Sequence, residues 1–132
     1  MGDQSFNTIA QYYASVWGSL DFDAFKATIS PNATIWFTYY NGMNEKLTVN
    51  EFHLRMRISH FDNTRVVFVD NLEIIRLSSK VFKVSENTDF DRLGNGETEA
   101  GEYEYTGSGE LTVGENDLIS NIRYIYSKCV KK

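Results

Sequence analysis

An α+β domain, helices first and a curved, mostly antiparallel sheet after them, is predicted by three features of this sequence. Apolar side chains recur at three- and four-residue spacing in 6–17, 22–29 and 49–60, around one β-branched and aromatic run at 33–40. From residue 64 onward the helical period disappears and apolar residues alternate with polar ones. Three glycine-, serine- or asparagine-rich turns divide that second half. The 132 residues, 42% apolar with a single proline, leave room for one core, so 1–132 is read as a single domain.

Phe6, Ile9, Ala10, Tyr13, Val16 and Trp17 lie on one face of a first helix, which puts Tyr13 inside. Tyr12, 100° further round, is then the residue facing solvent or a partner. Gly18-Ser19 closes that helix, and Asp21 caps a second one, with Phe22, Phe25 and Ile29 on its apolar side and Ser30-Pro31 as its stop. In the strand 33–40, Ala33, Ile35, Phe37 and Tyr39 share one face and Thr34, Trp36, Thr38 and Tyr40 the other. Asn41-Gly42 turns the chain. Thr48-Val49-Asn50-Glu51 is a capping box opening a third helix to about His60, whose apolar sector holds Val49, Phe52, His53, Met56 and His60. Strands at about 64–77, 80–92, 97–113 and 117–127 follow, joined at Ser78-Ser79, Gly94-Asn95-Gly96 and Gly114-Glu115-Asn116. In the third of them Tyr103, Tyr105, Gly107, Gly109, Leu111 and Val113 form the core face, and its inward glycines mark a bend or a close approach.

Composition removes several function classes. Thirteen basic against eighteen acidic residues give a charge of −5, which does not attract nucleic acid. No apolar run reaches the roughly 18 residues of a membrane span, and no signal-peptide core is present. Cys129, the one cysteine, can form no internal disulfide, and a reducing cytoplasmic setting fits. No Cys/His spacing matches a metal site, and neither Gly94-Asn95-Gly96 nor Gly107-Ser108-Gly109 lies between a strand and a helix N-terminus, so neither metal nor cofactor is expected.

Ile9-Ala10-Gln11-Tyr12-Tyr13, Leu20-Asp21-Phe22-Asp23-Ala24-Phe25 and Pro31-Asn32-Ala33-Thr34-Ile35 follow one another as helix, acidic cap, second helix and strand entry. In order and spacing they resemble the nuclear-transport-factor-2-like superfamily, which includes ketosteroid isomerase, scytalone dehydratase and SnoaL-like polyketide cyclases. The resemblance implies a cone: a strongly curved, mostly antiparallel sheet with the N-terminal helices packed on its concave face. It also implies a pocket between them, lined here by Tyr13, Trp17, Phe37, Phe52, His53, Met56, Leu111, Ile122, Tyr124 and Tyr126. Laid on the ketosteroid isomerase pattern, Tyr13 takes the oxyanion-donor position, Phe37 stands where the base belongs and Gly109 where the second acid belongs. That arrangement of proton-transfer groups is therefore not expected.

Two side chains are the candidates for chemistry. His53 titrates near neutral pH and suits general acid/base work, or else it is a core-edge histidine bonded to a backbone carbonyl. Tyr13 suits donation to a carbonyl or enolate oxygen, or else it packs with its hydroxyl satisfied nearby. His60 falls at the end of its helix. Asp89 and Asp91 share the wet face of their strand, opposite Phe82, Val84 and Phe90. Arg123 lies on the outer face, where Glu102 or Glu104 is its expected partner. Ile119, Ile125, Trp36 and Tyr40 make that outer face apolar enough to carry a homodimer contact. The expected function is binding of a small, largely apolar or aromatic molecule, with or without isomerase-, cyclase- or dehydratase-like acid/base chemistry. The alternative is a non-catalytic interaction or dimerisation module whose pocket is filled by its own rings.

Overall fold

The computed structural model describes residues 3–39, 41–96 and 98–132, without the side chains of 66 and 126–128. Tyr40 and the Tyr126 side chain, expected on the outer face and in the pocket, lie outside the described residues. Helices α1 (Gln4–Ala14), α2 (Phe22–Lys26) and α3 (Val49–Met56) accompany strands β1 (Ile29–Thr38), β2 (Asn44–Leu47), β3 (Thr64–Arg76), β4 (Val81–Arg92), β5 (Gly101–Val113) and β6 (Ile119–Lys131). The strands form one sheet in the order β2-β1-β6-β5-β4-β3. All neighbours run antiparallel except β1 and β6. This is the predicted α+β architecture, with the helices on the inner face of the sheet.

Helix starts follow the capping residues. Asp3 accepts from the Phe6 amide and Asp21 from the Ala24 amide, each at 3.1 Å. At α3 the Glu51 amide donates to the Thr48 hydroxyl at 3.1 Å, and the Thr48 amide donates to the Glu51 carboxylate at 2.9 Å. Both long helices end in a wider, π-type turn, Ser15–Ser19 after α1 and Arg57–Phe61 after α3. Such turns rotate the side chains that follow, and here they bring Trp17 and His60 edge to face at 4.8 Å. The first helical segment closes at Gly18-Ser19 as expected, and Leu20 caps it in the left-handed conformation at φ 54°.

Several expectations need correction. Ser30-Pro31 does not stop α2, which ends at Lys26; both residues sit in β1, where the register against β6 breaks between Ile29 and Thr34. A proline fits there because no regular ladder bond is required of it. Asn41-Gly42 turns as expected, and the chain then pairs back on β1 as β2, tied to α3 by Arg55, which bonds Glu45 and, at 2.9 Å, the Tyr39 hydroxyl. Strand β5 begins at Gly101 rather than 97 because Asn63 holds the preceding loop: its side chain accepts from the Gly94 amide at 2.8 Å and donates to the Thr98 hydroxyl at 2.9 Å. Tyr12 faces the core, not solvent, edge-on to Tyr13 at 4.8 Å and 5.3 Å from Phe25. Arg123 is opposite Glu110, because Glu102 and Glu104 belong to the far end of β5.

Strand β6 carries two register shifts, between the Val113 and Thr112 pairings and between the Gly107 and Thr106 pairings. Each extra residue inverts which side chains face inward. Ile119 is therefore fully buried rather than on the outer face, and Cys129 points inward beyond the second shift. Strand β3, an edge of the sheet, carries two bulges, at Arg65 between Thr64 and Val66 and at Asp70 between Val69 and Asn71. The inward glycines of β5 admit rings: a Cβ on Gly109 would lie 2.5 Å from Tyr124, and one on Gly107 2.5 Å from the Tyr105 hydroxyl.

Candidate functional site

Inside the sheet the aromatic side chains leave a cavity of about 90 Å³. The two tyrosines of α1, Trp17 from the π-type turn, Phe37 from β1, Phe52 and Met56 from α3, and Tyr105 and Tyr124 from β5 and β6 form its apolar wall. Its polar members are Glu86 and Arg92 of β4, His60, Ser59 and Cys129. Met56, Ser59, Arg92 and Cys129 are half-buried, which places the mouth between the end of α3 and the C-terminal ends of β4 and β6. A buried water needs roughly 10–15 Å³, so this space holds several waters or a single ring.

Glu86 is the side chain that reading the sequence missed. On β4 the positions 82, 84, 86, 88 and 90 face inward together, so Glu86 and Thr88 enter the core between Phe82, Val84 and Phe90. Strand alternation already carried that signal. Glu86 is 4% exposed, and its carboxyl accepts from the Trp17 indole N–H at 2.5 Å. Opposite it on β5 stands Gly107, which has no side chain to fill the space. Burial pushes the Glu86 carboxyl up to about 8, against a smaller lowering by the Trp17 hydrogen bond. At neutral pH it is an acid that keeps its proton.

His60, at the end of its helix, is buried. Its Nε2 donates to the Val16 carbonyl at 2.5 Å and its Nδ1 accepts from the Thr64 hydroxyl at 3.1 Å. Those roles suit a neutral ring, and burial lowers its pKa to about 4, with the charge of Arg92 adding to the fall. The ring joins the two π-type turns and so holds Trp17 in place.

Of the residues expected in the pocket, Tyr13, Trp17, Phe37, Phe52, Met56 and Tyr124 line the cavity. Leu111 and Ile122 are fully buried in the sheet but do not reach it. His53 lies outside it, with its ring edge-on to Phe22 at 6.3 Å and to Phe25 at 5.9 Å. Burial, and then Lys26, lowers its pKa, and its Nε2 has no hydrogen-bond partner among the described residues. The two sides of α3 explain this placement: Phe52 and Met56 point toward the sheet, while His53 points toward α2. Asp89 and Asp91 are on the outer face, paired with Lys132 at 3.0 Å and Arg65 at 2.5 Å. Among the described residues no three His, Cys, Asp or Glu side chains gather as a metal site requires, and no helix is long and apolar enough to cross a membrane.

No protein-family profile and no curated protein matches this sequence. Many solved structures share its fold. AusH from Aspergillus nidulans is 15% identical with a TM-score of 0.71, over 96% of this chain and 85% of that one. SalBIII, an epoxide hydrolase/cyclase-like enzyme of pyran ring formation in salinomycin, is 13% identical with a TM-score of 0.67, over 92% and 89%. A Mycobacterium tuberculosis protein in complex with estradiol-17β-hemisuccinate is 15% identical with a TM-score of 0.66, over 92% of each chain.

Proposed function

We propose that this chain, which has the cone fold of the nuclear-transport-factor-2-like superfamily, binds a small, largely apolar molecule in its cavity and transfers a proton to it from Glu86. The observation that carries this reading is a carboxyl held protonated near neutral pH against an aromatic cavity. An acid whose pKa lies close to ambient pH both gives up and regains a proton readily, as isomerase-, cyclase- and dehydratase-like reactions require. The indole N–H of Trp17 bonds one carboxyl oxygen and sets its orientation, leaving the other to carry the proton. Tyr13 contributes a second hydroxyl to the same wall. His53, outside the cavity, has no part in this scheme. The ring-forming and steroid-bound proteins of the same fold are consistent with it.

Acetophenone labelled with carbon-13 at its carbonyl tests the reading. It is expected to bind at one molecule per chain, with the carbonyl resonance moved downfield by the Glu86 proton at pH 6 and relaxing as the pH passes about 8. Glu86→Gln should make the bound shift independent of pH. Absence of binding would favour the alternative, an interaction module whose interior is closed by its own rings.

We also propose a homodimer through the outer sheet face. Trp36 is 37% and Ile125 51% exposed there, beside a concavity of about 800 Å³ that includes Lys83, Glu110 and Arg123. Charges of both signs around an apolar centre suit a two-fold, self-complementary contact. Light scattering at high micromolar concentration should give twice the chain mass, and Ile125→Glu should give the chain mass; a monomeric wild type would refute the contact.

A further inference from the structure

Arg92 ends β4 at the cavity mouth, where its guanidinium lies 4.6 Å from the ring centroid of Tyr103 and 5.0 Å from that of Phe90. The two rings hold the group in place. The guanidinium bonds the neutral Cys129 thiol, its Nε is buried without a hydrogen-bond partner, and among the described residues no carboxylate pairs with it. What sets it apart from the other basic residues is burial of the group at the cavity, and it is not for want of carboxylates on the strand. Asp89 and Asp91 of β4 are engaged outside by Lys132 and Arg65. A half-buried cation needs an anion or ample water, because desolvation disfavours its charge. The other titratable groups of the cavity supply none at neutral pH: Glu86 keeps its proton, His60 is neutral, and burial raises the Cys129 thiol. The described lining therefore carries one positive charge.

From this geometry we infer that the molecule held in the cavity is a monoanion, a carboxylic acid whose carboxylate pairs with Arg92 at the mouth while its apolar body lies among the rings inside. The inference rests on the reading of the cavity as a ligand site. A planar guanidinium held against two stacked rings matches a carboxylate in two parallel hydrogen bonds. A doubly charged phosphate ester would leave one charge uncompensated in the same place. The carboxylate also determines orientation, since it keeps the acid's own charge away from the Glu86 proton deeper in.

Benzoate and benzamide, equal in shape and different in charge, provide the test, with binding to the full chain followed by calorimetry and ligand-detected NMR at neutral pH. Benzoate is expected to bind about tenfold more tightly or better, with the preference shrinking as salt is added. In Arg92→Gln the preference should vanish while benzamide affinity is kept, and Arg92→Lys should restore part of it. The wild-type comparison decides the question even if a variant fails to fold. Equal affinity of wild type for both compounds overturns the monoanion and leaves the cavity as a ligand site. Binding of neither benzoate, benzamide nor acetophenone overturns both.

Discussion

Glu86→Gln is expected to abolish a loss of stability that the wild-type protein suffers as the pH rises past neutrality. The folded chain holds the Glu86 proton up to about pH 8, whereas an exposed glutamate titrates at 4.5. Between those values the native state binds more protons than the unfolded one, so unfolding becomes easier as pH increases. The contribution is complete below the lower value and lost above the upper one. At about 1.4 kcal/mol per pKa unit, the whole window corresponds to roughly 4–5 kcal/mol. Glutamine keeps an oxygen for the Trp17 N–H and has no proton to lose. Urea unfolding at about pH 6.5, above the His60 window, and again at about pH 8.5 should show the wild type losing about 2 kcal/mol and the variant little. Parallel behaviour of the two proteins would refute the buried acid.

His60→Ala should have an effect of similar size with the opposite dependence on pH. Removing the ring orphans the Val16 carbonyl and the Thr64 hydroxyl, and it opens a gap beside Trp17, Phe61 and Phe90. A loss of about 3 kcal/mol at neutral pH is expected from the cavity and the unpaired group together. The folded ring titrates at about 4 against 6.5 for the free group, so the unfolded state binds more protons between them. Stability from neutral His60 is complete above 6.5 and is lost as pH falls toward 4. In the wild type this slope opposes that of Glu86 from about 4.5 to 6.5, giving a near plateau. Thermal unfolding across that window should show Glu86→Gln gaining stability with pH and His60→Ala losing it. A wild-type slope unchanged by both substitutions would be inconsistent with the assignment.

The alternation and capping patterns sufficed for the elements that obey them. The Thr48 to Glu51 box, the Asp21 cap and the inward face of β5 follow directly from spacing, because each depends on neighbours within a few residues. Parity failed where a strand gains a residue. Ile119 was expected outside because it shares odd numbering with Arg123 and Ile125, yet a register shift lies between them. Nothing in Ile119-Ser120-Asn121 announces that bulge, since it answers to pairing with β5 and with the irregular start of β1. The site was half legible. Aromatic lining residues follow from face, but which histidine of the apolar side of α3 points inward is decided by the π-type turn that ends that helix. His60 reaches the cavity because the helix widens at Arg57, and His53 turns toward α2. Glu86 was concealed by its residue type: an acidic side chain amid polar neighbours reads as surface, although its numbering matches Phe82 and Phe90.

The bulge at Asp70 bears on how the protein behaves in a crowded solution. β3 is an edge strand of 13 residues, with Phe68 and Val69 exposed next to the extra residue. A straight edge of that length, with apolar side chains beside it, would template strands of neighbouring chains and seed aggregation. The inserted residue twists the edge away and puts a carboxylate at the break, so an incoming strand can match only the short stretch on either side. With the second bulge at Arg65, protection from intermolecular β-pairing thus resides in edge residues that take no part in the cavity and can vary without regard to what the cavity binds.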